Sequence, residues 1–400
     1  MIRKGLFATA LFALLLSGCG ATKPEEKPGD ENLNFDGFVS VFNARENSSY
    51  DNLLHGMKED GSIEVVKRNN GDTLHLSSLY TSLVNINSKY FLLYDSSTCV
   101  VNKVTGKMYY FSDDCAPLGN GSYYTQKSFT FSSKDDQDTI YLICTNKLNT
   151  EWKLMKMSIK DELKLTQVSV AGDNLHNFRN FVVDKDGTAI YNAYDKENNI
   201  VLRCIDRKMN AHSLPSNNIS DYAVAGDCII YKDDFNNKTR FQKLSVVNDE
   251  IKYSLIGYAT SYFSMSQNNF YSPYSSDEVL YNSGSGYYDF SSVDTSGYIQ
   301  YKSISNLGMM SIGLTCVSKD KIYFYGNSLS ESSPIIATYS NGTLNSVKTG
   351  IYDILSFVSS NNGTLTFIAR LSGGGSVTGV YNGSFNVKGS AEITGQMIGM

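Results

Sequence analysis

Cysteine is the residue type whose position in this sequence points most directly to chemistry, and Cys19 is the clearest case. It follows Arg3, Lys4 and the eleven uncharged residues Leu6–Leu16. A short positive start, an apolar run of that length and small residues ahead of a cleavage point are typical of a secretory signal. The run is well below the roughly 20 residues that a membrane-spanning helix needs. The chain is therefore predicted to be exported, with a cysteine where its signal ends.

The four residues L-S-G-C at 16–19 resemble the lipobox of bacterial lipoproteins. The resemblance implies that residues 1–18 are a cleaved signal peptide and that Cys19 carries diacylglycerol and an N-acyl chain such as palmitate. Gly20, in place of the Asp that retains such proteins at the inner membrane, implies an outer-membrane lipoprotein of the cell envelope, on its periplasmic or its external side. Acyl chains contribute about 0.8 kcal/mol per buried methylene, so the anchor would be stable. An ordinary signal peptide with a chance cysteine is the alternative.

Residues 19–34 are predicted to form a lipid-anchored flexible tether, because Pro24, Pro28 and a run of charges leave it little to bury. The remaining residues, 35–400, are predicted to fold as one domain. Removal of Arg3 and Lys4 with the signal leaves 33 basic and 40 acidic residues, a net charge of −7. Such a chain is not drawn to anionic lipid or to nucleic acid, so no nucleic acid partner is expected.

Short aromatic and β-branched runs recur throughout residues 35–400, separated by clusters of Gly, Asn, Asp and Ser that indicate turns. They begin at Phe38, Tyr90, Thr139, Ala189, Cys228, Asn269, Lys321 and Leu365. The mean step of roughly 47 residues is typical of four-stranded propeller blades. The sequence thus predicts an all-β propeller of eight blades, or of seven if the first and last runs complete one blade. A pair of β-sandwiches is the alternative.

Two segments carry family resemblances. Residues 186–206, with D-G-T-A-I-Y, then Y-D and a second strand ending I-D, resemble the repeats of bacterial TolB-like propellers. Val100–Phe111, with T-G-K before an aromatic strand, resembles the blade motif of quinoprotein-like propellers, one of which is a lipoprotein of the outer-membrane protein assembly machine. Those propellers repeat their Trp, whereas this chain has only Trp152. The resemblance therefore implies an architecture more strongly than an activity.

The cysteines after Cys19 are candidates for a disulfide. Cys99 and Cys115 flank the turn at Thr105–Gly106 and are the candidate pair. A tight turn there would place Cys99 opposite Ser112, so a bulge must bring Cys115 back. Several of the others are predicted to be small buried residues in strands: Cys144, Cys204 and Cys228. Since no C-x-x-C occurs, neither a zinc ribbon nor thioredoxin-like redox chemistry is expected.

Acids and histidines offer no clear metal or catalytic site. The four histidines lie too far apart in sequence for metal-ligand pairs. Two acidic groups have oxygens that calcium accepts, but neither completes a calcium loop, and they are predicted to be turn formers: Asp135, Asp136 and Asp138, and Asp184 and Asp186. Nucleophile elbows and phosphate loops are also missing from the sequence. No enzyme, catalytic residue, metal or cofactor is predicted.

The function predicted from these observations is that of a protein-binding scaffold in the cell envelope, serving envelope assembly or secretion. Its expected partners are the membrane, through Cys19, and a protein bound by loops of the propeller. The alternative is a surface lipoprotein that binds or processes carbohydrate, because the aromatic loop Gly284–Tyr288 (G-S-G-Y-Y) could stack on a sugar.

Overall fold

The fold is known from a computed structural model. It describes residues 31–45, 51–77, 81–95, 99–110, 123–131, 138–146, 152–159, 163–167, 176–183, 189–205, 211–217, 222–225, 228–233, 238–247, 250–259, 270–271, 278–282, 290–294, 302–304, 309–318, 320–328, 334–341, 343–349, 352–371, 374–390 and 392–400. The secondary-structure elements in these ranges are all strands, in agreement with the predicted all-β class.

The first half of the strands forms sheets 1 to 4. Sheet 1 contains β1 (Phe38–Arg45), β2 (Asn52–Lys58), β3 (Ile63–Val65) and β4 (His75–Leu76). Sheet 2 contains β5 (Ser82–Asn85), β6 (Tyr90–Tyr94), β7 (Cys99–Asn102) and β8 (Met108–Tyr110). Sheet 3 contains β9 (Tyr123–Phe131), β10 (Thr139–Asn146), β11 (Trp152–Ser158) and β12 (Lys164–Gln167). Sheet 4 contains β13 (His176–Val183), β14 (Ala189–Tyr194), β15 (Ile200–Ile205) and β16 (Ala211–Asn217).

The second half forms sheets 5 to 8 and returns to sheet 1. Sheet 5 contains β17 (Tyr222–Ala225), β18 (Cys228–Asp233), β19 (Lys238–Val247) and β20 (Glu250–Ala259). Sheet 6 contains β21 (Phe270–Tyr271), β22 (Glu278–Asn282), β23 (Phe290–Asp294) and β24 (Lys302–Ile304). Sheet 7 contains β25 (Met309–Ser318), β26 (Lys321–Ser328), β27 (Pro334–Ser340) and β28 (Thr343–Lys348). Sheet 8 contains β29 (Tyr352–Ser359), β30 (Leu365–Leu371), β31 (Ser376–Tyr381) and β32 (Phe385–Ser390), and the last strand, β33 (Glu392–Gly399), joins sheet 1.

The sheets are arranged as the blades of a propeller. Strands that follow one another in the chain pair antiparallel within each sheet, and the first strand of one sheet contacts the first strand of the next, as in β9 with β13, β13 with β17 and β25 with β29. The predicted class, an all-β propeller, is thereby confirmed. The first and last aromatic runs lie on β1 and β30, which belong to different sheets, so they do not complete one blade together.

Sheet 1 closes the ring with strands from both ends of the described chain. β33 pairs with β1, with Val41 opposite Ile398 and Ala44 opposite Ile393. β33 also contacts β5 of sheet 2 and β29 of sheet 8. β33 thus covers the inner edge of β1, which would otherwise offer unpaired N–H and C=O groups to another chain.

The recurring aromatic runs fold as the second strand counted outward from the centre in seven of the eight sheets, as β6 illustrates. That strand has a neighbour on both sides and a packed sheet on both faces, so it reads as a nearly continuous apolar run. Phe91 and Leu93 pack toward sheet 1, whereas Tyr90 and Leu92 pack toward sheet 3, because successive side chains point to opposite faces. Burial stabilises by roughly 1.5–3 kcal/mol for each side chain of this size.

The run that begins at Asn269 departs from this rule. It contributes β21, the first strand of sheet 6, and the second strand is β22. This run therefore occupies a different position in its sheet from the other seven. β22 has only a short apolar segment around the buried Val279 and Leu280, so its pattern is weaker than that of the neighbouring aromatic residues.

The unit predicted around residues 188–206 is confirmed in sheet 4. β14 and β15 pair from Ala189 opposite Ile205 to Tyr194 opposite Ile200. In the turn between them, the Asp195 N–H donates to the Asn199 carbonyl at 3.0 Å, and the Asn199 N–H donates to Asp195 Oδ1 at 2.8 Å. This backbone hydrogen bond lowers the pKa of Asp195 below its ordinary value. The Asp therefore fixes the turn that sets the register of the hairpin.

Tyrosine hydroxyls join neighbouring sheets at several seams, which gives the abundant Tyr a structural role. Tyr222 in sheet 5 donates to the Ile190 carbonyl in sheet 4 at 2.9 Å. Tyr325 in sheet 7 donates to Asp353 Oδ1 in sheet 8 at 2.9 Å, and its oxygen accepts the Ile354 N–H at 2.9 Å. Burial and the bond to Asp353 raise the pKa of Tyr325 to about 12. The ring of Tyr325 thus packs as an apolar group, while its hydroxyl forms hydrogen bonds with two groups of the next sheet.

Loss of one such hydroxyl is expected to weaken a single seam. Tyr325→Phe should lower the free energy of unfolding by about 1–2 kcal/mol, because the buried Ile354 N–H loses its acceptor. Chemical denaturation of residues 31–400 measures the change. Tyr323→Phe, whose ring packs on Phe357 of the same neighbouring sheet with centroids 5.9 Å apart, is the matched control and should change little. Equal losses in the two variants would contradict the assigned role.

Candidate functional site

The chain joins the propeller at the outer rim, beside the seam between sheets 1 and 2. Leu33 is 2% exposed, and its N–H donates to the Gly106 carbonyl at 3.0 Å. The Asn34 N–H donates to the Lys67 carbonyl at 2.7 Å. Residues 31–34, which the sequence assigned to the tether, thus pack on the folded body, because Leu33 and Phe35 fill the core of this seam. The folded body therefore includes residues 31–34.

A polar groove of about 590 Å³ lies where the chain joins the rim, and we call it the rim groove. Its lining comprises Glu31, Arg68, Asn70, Gly71, Asp72, Thr73 and His75. Arg68 Nη1 donates to the Glu31 carbonyl at 2.9 Å and lies 4.0 Å from Glu31 Oε2. Asn70 and Asp72 are joined by two hydrogen bonds of 2.9 Å. The groove therefore presents donors and acceptors held in place by their own contacts.

The β7–β8 hairpin stands next to the rim groove and carries the T-G-K motif. Its turn is tight, with the Asn102 N–H donating to the Lys107 carbonyl at 2.9 Å. Gly106 has a φ of 66°, and a Cβ there would lie 1.6 Å from the Leu33 carbonyl oxygen, so only glycine fits. Lys107 Nζ lies 4.8 Å from the centroid of the Tyr109 ring. The hairpin is thus fixed both by its turn and by the incoming chain.

Exposed apolar side chains concentrate on this hairpin. Five large hydrophobic residues are exposed in the part of the chain that the structure describes: Val104, Tyr110, Leu255, Val347 and Leu355. Val104 at the turn is 78% exposed, and Tyr110 at the end of β8 is 50% exposed. The other three lie singly on sheets 5, 7 and 8. Tyr110 also lies near the rim groove: its hydroxyl donates to Met108 Sδ at 3.6 Å, and burial raises the pKa of that hydroxyl, an effect that the nearby Arg68 opposes.

The register of this hairpin corrects one expectation about the cysteines. Cys99 lies opposite Tyr110 and not opposite Ser112, because the turn comprises residues 103–106 and so begins two residues earlier than a two-residue turn at Thr105–Gly106. Cys99 is 1% exposed, in the core between sheets 1 and 2. Its candidate partner Cys115 lies outside the described residues, so the disulfide stays a prediction. Cys204 and Cys228 are buried in strands, as expected. The backbone of Cys144 lies on β10 as predicted.

A buried lysine fastens the closing strand, and sequence reasoning missed it. Lys103 is 6% exposed, and its Nζ donates to the Gly399 carbonyl at 2.6 Å and to Asn85 Oδ1 at 2.7 Å. Burial lowers the pKa of Lys103 from its ordinary value to about 7. The partners come from β33 and β5, so a single side chain of sheet 2 ties two innermost strands together. No local sequence motif predicts these contacts of Lys103.

The last two residues are held by three sheets. The Met400 N–H donates to the Val39 carbonyl at 2.9 Å, and the Asn361 N–H donates to the Met400 carbonyl at 2.6 Å. Asn361 Nδ2 also donates to the Ser88 carbonyl at 2.7 Å. Together with Lys103, these bonds attach the end of β33 to sheets 1, 2 and 8. We call this set of contacts the closing clasp.

One predicted turn acid has a different role. Asp138 is 5% exposed and accepts from Tyr90 Oη at 2.6 Å and from Lys89 Nζ at 3.2 Å. It is therefore a buried link between sheets 2 and 3, because Lys89 directly precedes β6 and Tyr90 is the first residue of β6. Asp138 lies in a turn, as predicted, and its carboxylate has this further role. The other predicted acids, at 135, 136, 184 and 186, lie outside the described residues.

No group of three or more metal-binding side chains occurs within the described ranges. His75 Nδ1 lies 4.0 Å from Asp51 Oδ1 at the rim, and His55 stacks on Phe42 with centroids 5.9 Å apart. Within those same ranges, no helix is long and apolar enough to cross a membrane. Cys19 and the rest of residues 1–30 lie outside the described part of the chain, so lipidation stays a prediction.

The described strands form a β-propeller that carries exposed apolar residues and a polar groove at one rim. Comparison with known proteins bears on the fold only. No protein-family model matches the sequence, and no curated protein is significantly similar to it. Among solved structures, an acylaminoacyl peptidase from Pyrococcus horikoshii is 12% identical with a TM-score of 0.43, over 90% of this chain and 54% of that one. Dipeptidyl peptidase 4 from Porphyromonas gingivalis is 8% identical with a TM-score of 0.46, over 83% and 55%.

TolB from Acinetobacter baumannii is also among the similar structures. It is 9% identical with a TM-score of 0.34, over 81% of this chain and 65% of that one. The chain spans about half the length of the two peptidases it matches. At these identities and scores the likeness says nothing about what the chain binds or catalyses.

Proposed function

We propose that this protein is a lipid-anchored propeller of the cell envelope that binds a protein partner through the β7–β8 hairpin and the rim groove, and that it is not an enzyme. The observation that carries the proposal is that two exposed apolar side chains, Val104 and Tyr110, belong to one hairpin beside the polar groove. Interfaces commonly combine an apolar or aromatic centre with a polar rim. This is the described surface at which both occur together.

The residue types at this surface suit protein recognition. Tyr and Arg are over-represented among the residues that dominate binding energy, and Tyr110 and Arg68 lie near each other here. Gly106 and Leu33 hold the hairpin rigidly, so little conformational freedom would be lost on binding. A rigid aromatic anchor with fixed polar neighbours favours a protein partner over a small apolar ligand.

The carbohydrate alternative rested on the aromatic loop at residues 284–288. That loop lies outside the described residues, and the alternative stays a prediction. The protein-binding proposal depends only on described side chains.

Site-specific photocrosslinking in cells tests the proposal. A photoreactive residue in place of Tyr110 is expected to give one discrete protein adduct, whereas the same residue in place of Leu255, an exposed apolar position on sheet 5, should give none. Val104→Asp should reduce the adduct at least about fivefold, since charge at the centre of an apolar contact costs more than 1 kcal/mol. Val347→Asp, at an exposed apolar position on sheet 7, is the matched control and should leave the yield unchanged.

Two results would contradict the proposal. One is the absence of an adduct from position 110, and the other is an equal effect of Val104→Asp and Val347→Asp. Metabolic labelling with palmitate, lost in Cys19→Ser, establishes the anchor in the same cells.

A further inference from the structure

Asn-Gly pairs are candidate sites for a covalent change that needs no enzyme. The backbone nitrogen of the residue after an Asn can attack the side-chain amide carbon of that Asn, and Gly hinders this attack least because it has no Cβ. The sequence contains such pairs at 70–71, 120–121, 341–342, 362–363 and 382–383. Residues 120, 121 and 342 lie outside the described part of the chain. The other three pairs are described in full, and each lies between two consecutive strands.

The glycine N–H distinguishes these three pairs, because this nitrogen has to lose its proton before it attacks. The Gly71 N–H donates to the Arg68 carbonyl at 2.9 Å, and the Gly363 N–H donates to the Ser360 carbonyl at 2.9 Å. The Gly383 N–H has no hydrogen-bond acceptor among the described residues. Since a backbone hydrogen bond has to open before the attack, its presence slows the reaction roughly threefold to tenfold.

The side chain of Asn382 is oriented by donors that assist the attack. Its Oδ1 accepts from Ser384 Oγ at 3.3 Å and from Asn386 Nδ2 at 3.1 Å. Both donors lie where negative charge develops on Oδ1 as a nitrogen adds to Cγ, and they stabilise that charge. Residues 382–384 are exposed, and a Cβ built on Gly383 would meet no atom within 4 Å, so water and hydroxide reach the turn freely.

We propose that Asn382 is a site of spontaneous deamidation in the folded protein, a modification that is independent of the proposed function. The Gly383 nitrogen gives its proton to hydroxide and bonds to Asn382 Cγ, while Nδ2 takes a proton from water and leaves as ammonia, which closes a succinimide ring. Water then opens the ring. Cleavage of the bond from the nitrogen to Cγ leaves aspartate, and cleavage of the bond to the main-chain carbonyl carbon leaves isoaspartate. The turn between β31 and β32 thus gains a negative charge as the protein ages.

Peptide mapping by mass spectrometry of the full-length protein, incubated at mildly alkaline pH, tests the proposal. In the folded protein, the peptide that contains Asn382 is expected to gain the mass of an NH₂-to-OH exchange at least about threefold faster than the peptides that contain Asn70 and Asn362. In denaturant the three rates should converge, because every glycine N–H is then free of its folded-state acceptor.

Asn382→Gln is the matched variant, since attack on its longer side chain would have to close a six-membered ring, and the mass of its peptide should stay unchanged. A rate at Asn382 no faster than the rates at Asn70 and Asn362 in the folded protein would overturn the proposal. The same mass gain in Asn382→Gln would also overturn it, because the change would then lie at another residue of the peptide.

Discussion

Gly399→Ala is expected to lower the free energy of unfolding by roughly 3 kcal/mol. A Cβ at Gly399 would lie 1.9 Å from the Ser359 carbonyl oxygen and 2.6 Å from its carbon, and both are backbone atoms that cannot rotate away. β33 would have to move off sheet 8, and the Gly399 carbonyl that Lys103 binds would move with it. Overpacking of a tight core costs about 1–3 kcal/mol, and loss of a buried hydrogen bond adds to it.

Chemical denaturation of residues 31–400 measures this change. Gly383→Ala is the control, because a Cβ there meets nothing within 4 Å and carries only the strain of a φ of 101°. That strain costs about 1 kcal/mol. A Gly399→Ala variant no less stable than Gly383→Ala would show that the closing clasp does not depend on this close approach.

Lys103→Met is expected to remove a pH dependence of stability. Burial lowers the pKa of Lys103 to about 7 in the folded protein, against an ordinary value of 10.5. Between these two values the unfolded chain binds more protons than the folded one, so the free energy of unfolding rises with pH. From pH 6 to pH 9 this lysine should contribute an increase of about 2.5 kcal/mol.

The measurement is the difference in unfolding free energy between pH 6 and pH 9. Burial raises the pKa of Cys99 and of Cys316 from 9.0 to about 12, so these thiols ionise near pH 9 only in the unfolded chain and oppose the increase there, but they do so equally in the wild type and the variants. Lys89→Met, at a half-exposed lysine on the neighbouring turn, should keep the wild-type increase. An increase of the same size in Lys103→Met would contradict a buried, largely neutral amine at the clasp.

The propeller could be predicted from the sequence because each blade contains a strand that is buried in the same way. A strand with neighbours on both sides and sheets on both faces must be apolar along its whole length, and β6 and β30 show this pattern clearly. β22 was missed because only Val279 and Leu280 mark its buried part. A long apolar pattern that repeats can therefore be recognised in the sequence. The short apolar pattern of β22 is overlooked because the residues just before it are more aromatic.

The site could be predicted only in part. The T-G-K hairpin was visible because the turn and the aromatic strand are local in sequence. The roles of Lys103 and Asp138 were not, since Lys103 meets Gly399 and Asp138 meets Tyr90 across large separations in the chain. A buried lysine and an exposed one look alike in sequence. The rim groove was missed for the same reason, because Glu31 and Arg68 meet only after the chain joins the ring.

The pairing of β1 with β33 has a consequence for how the protein is made. A contact between the two ends of the chain gives sheet 1 the highest contact order in the fold, and such contacts form slowly. Until β33 has been synthesised, β1 keeps an unpaired edge, and Val41 and Leu54 lack the contacts that Ile398 and Met400 make in the same core. Sheet 1 is therefore expected to be completed last, and its early strands stay open to wrong pairing for longer than those of the other sheets.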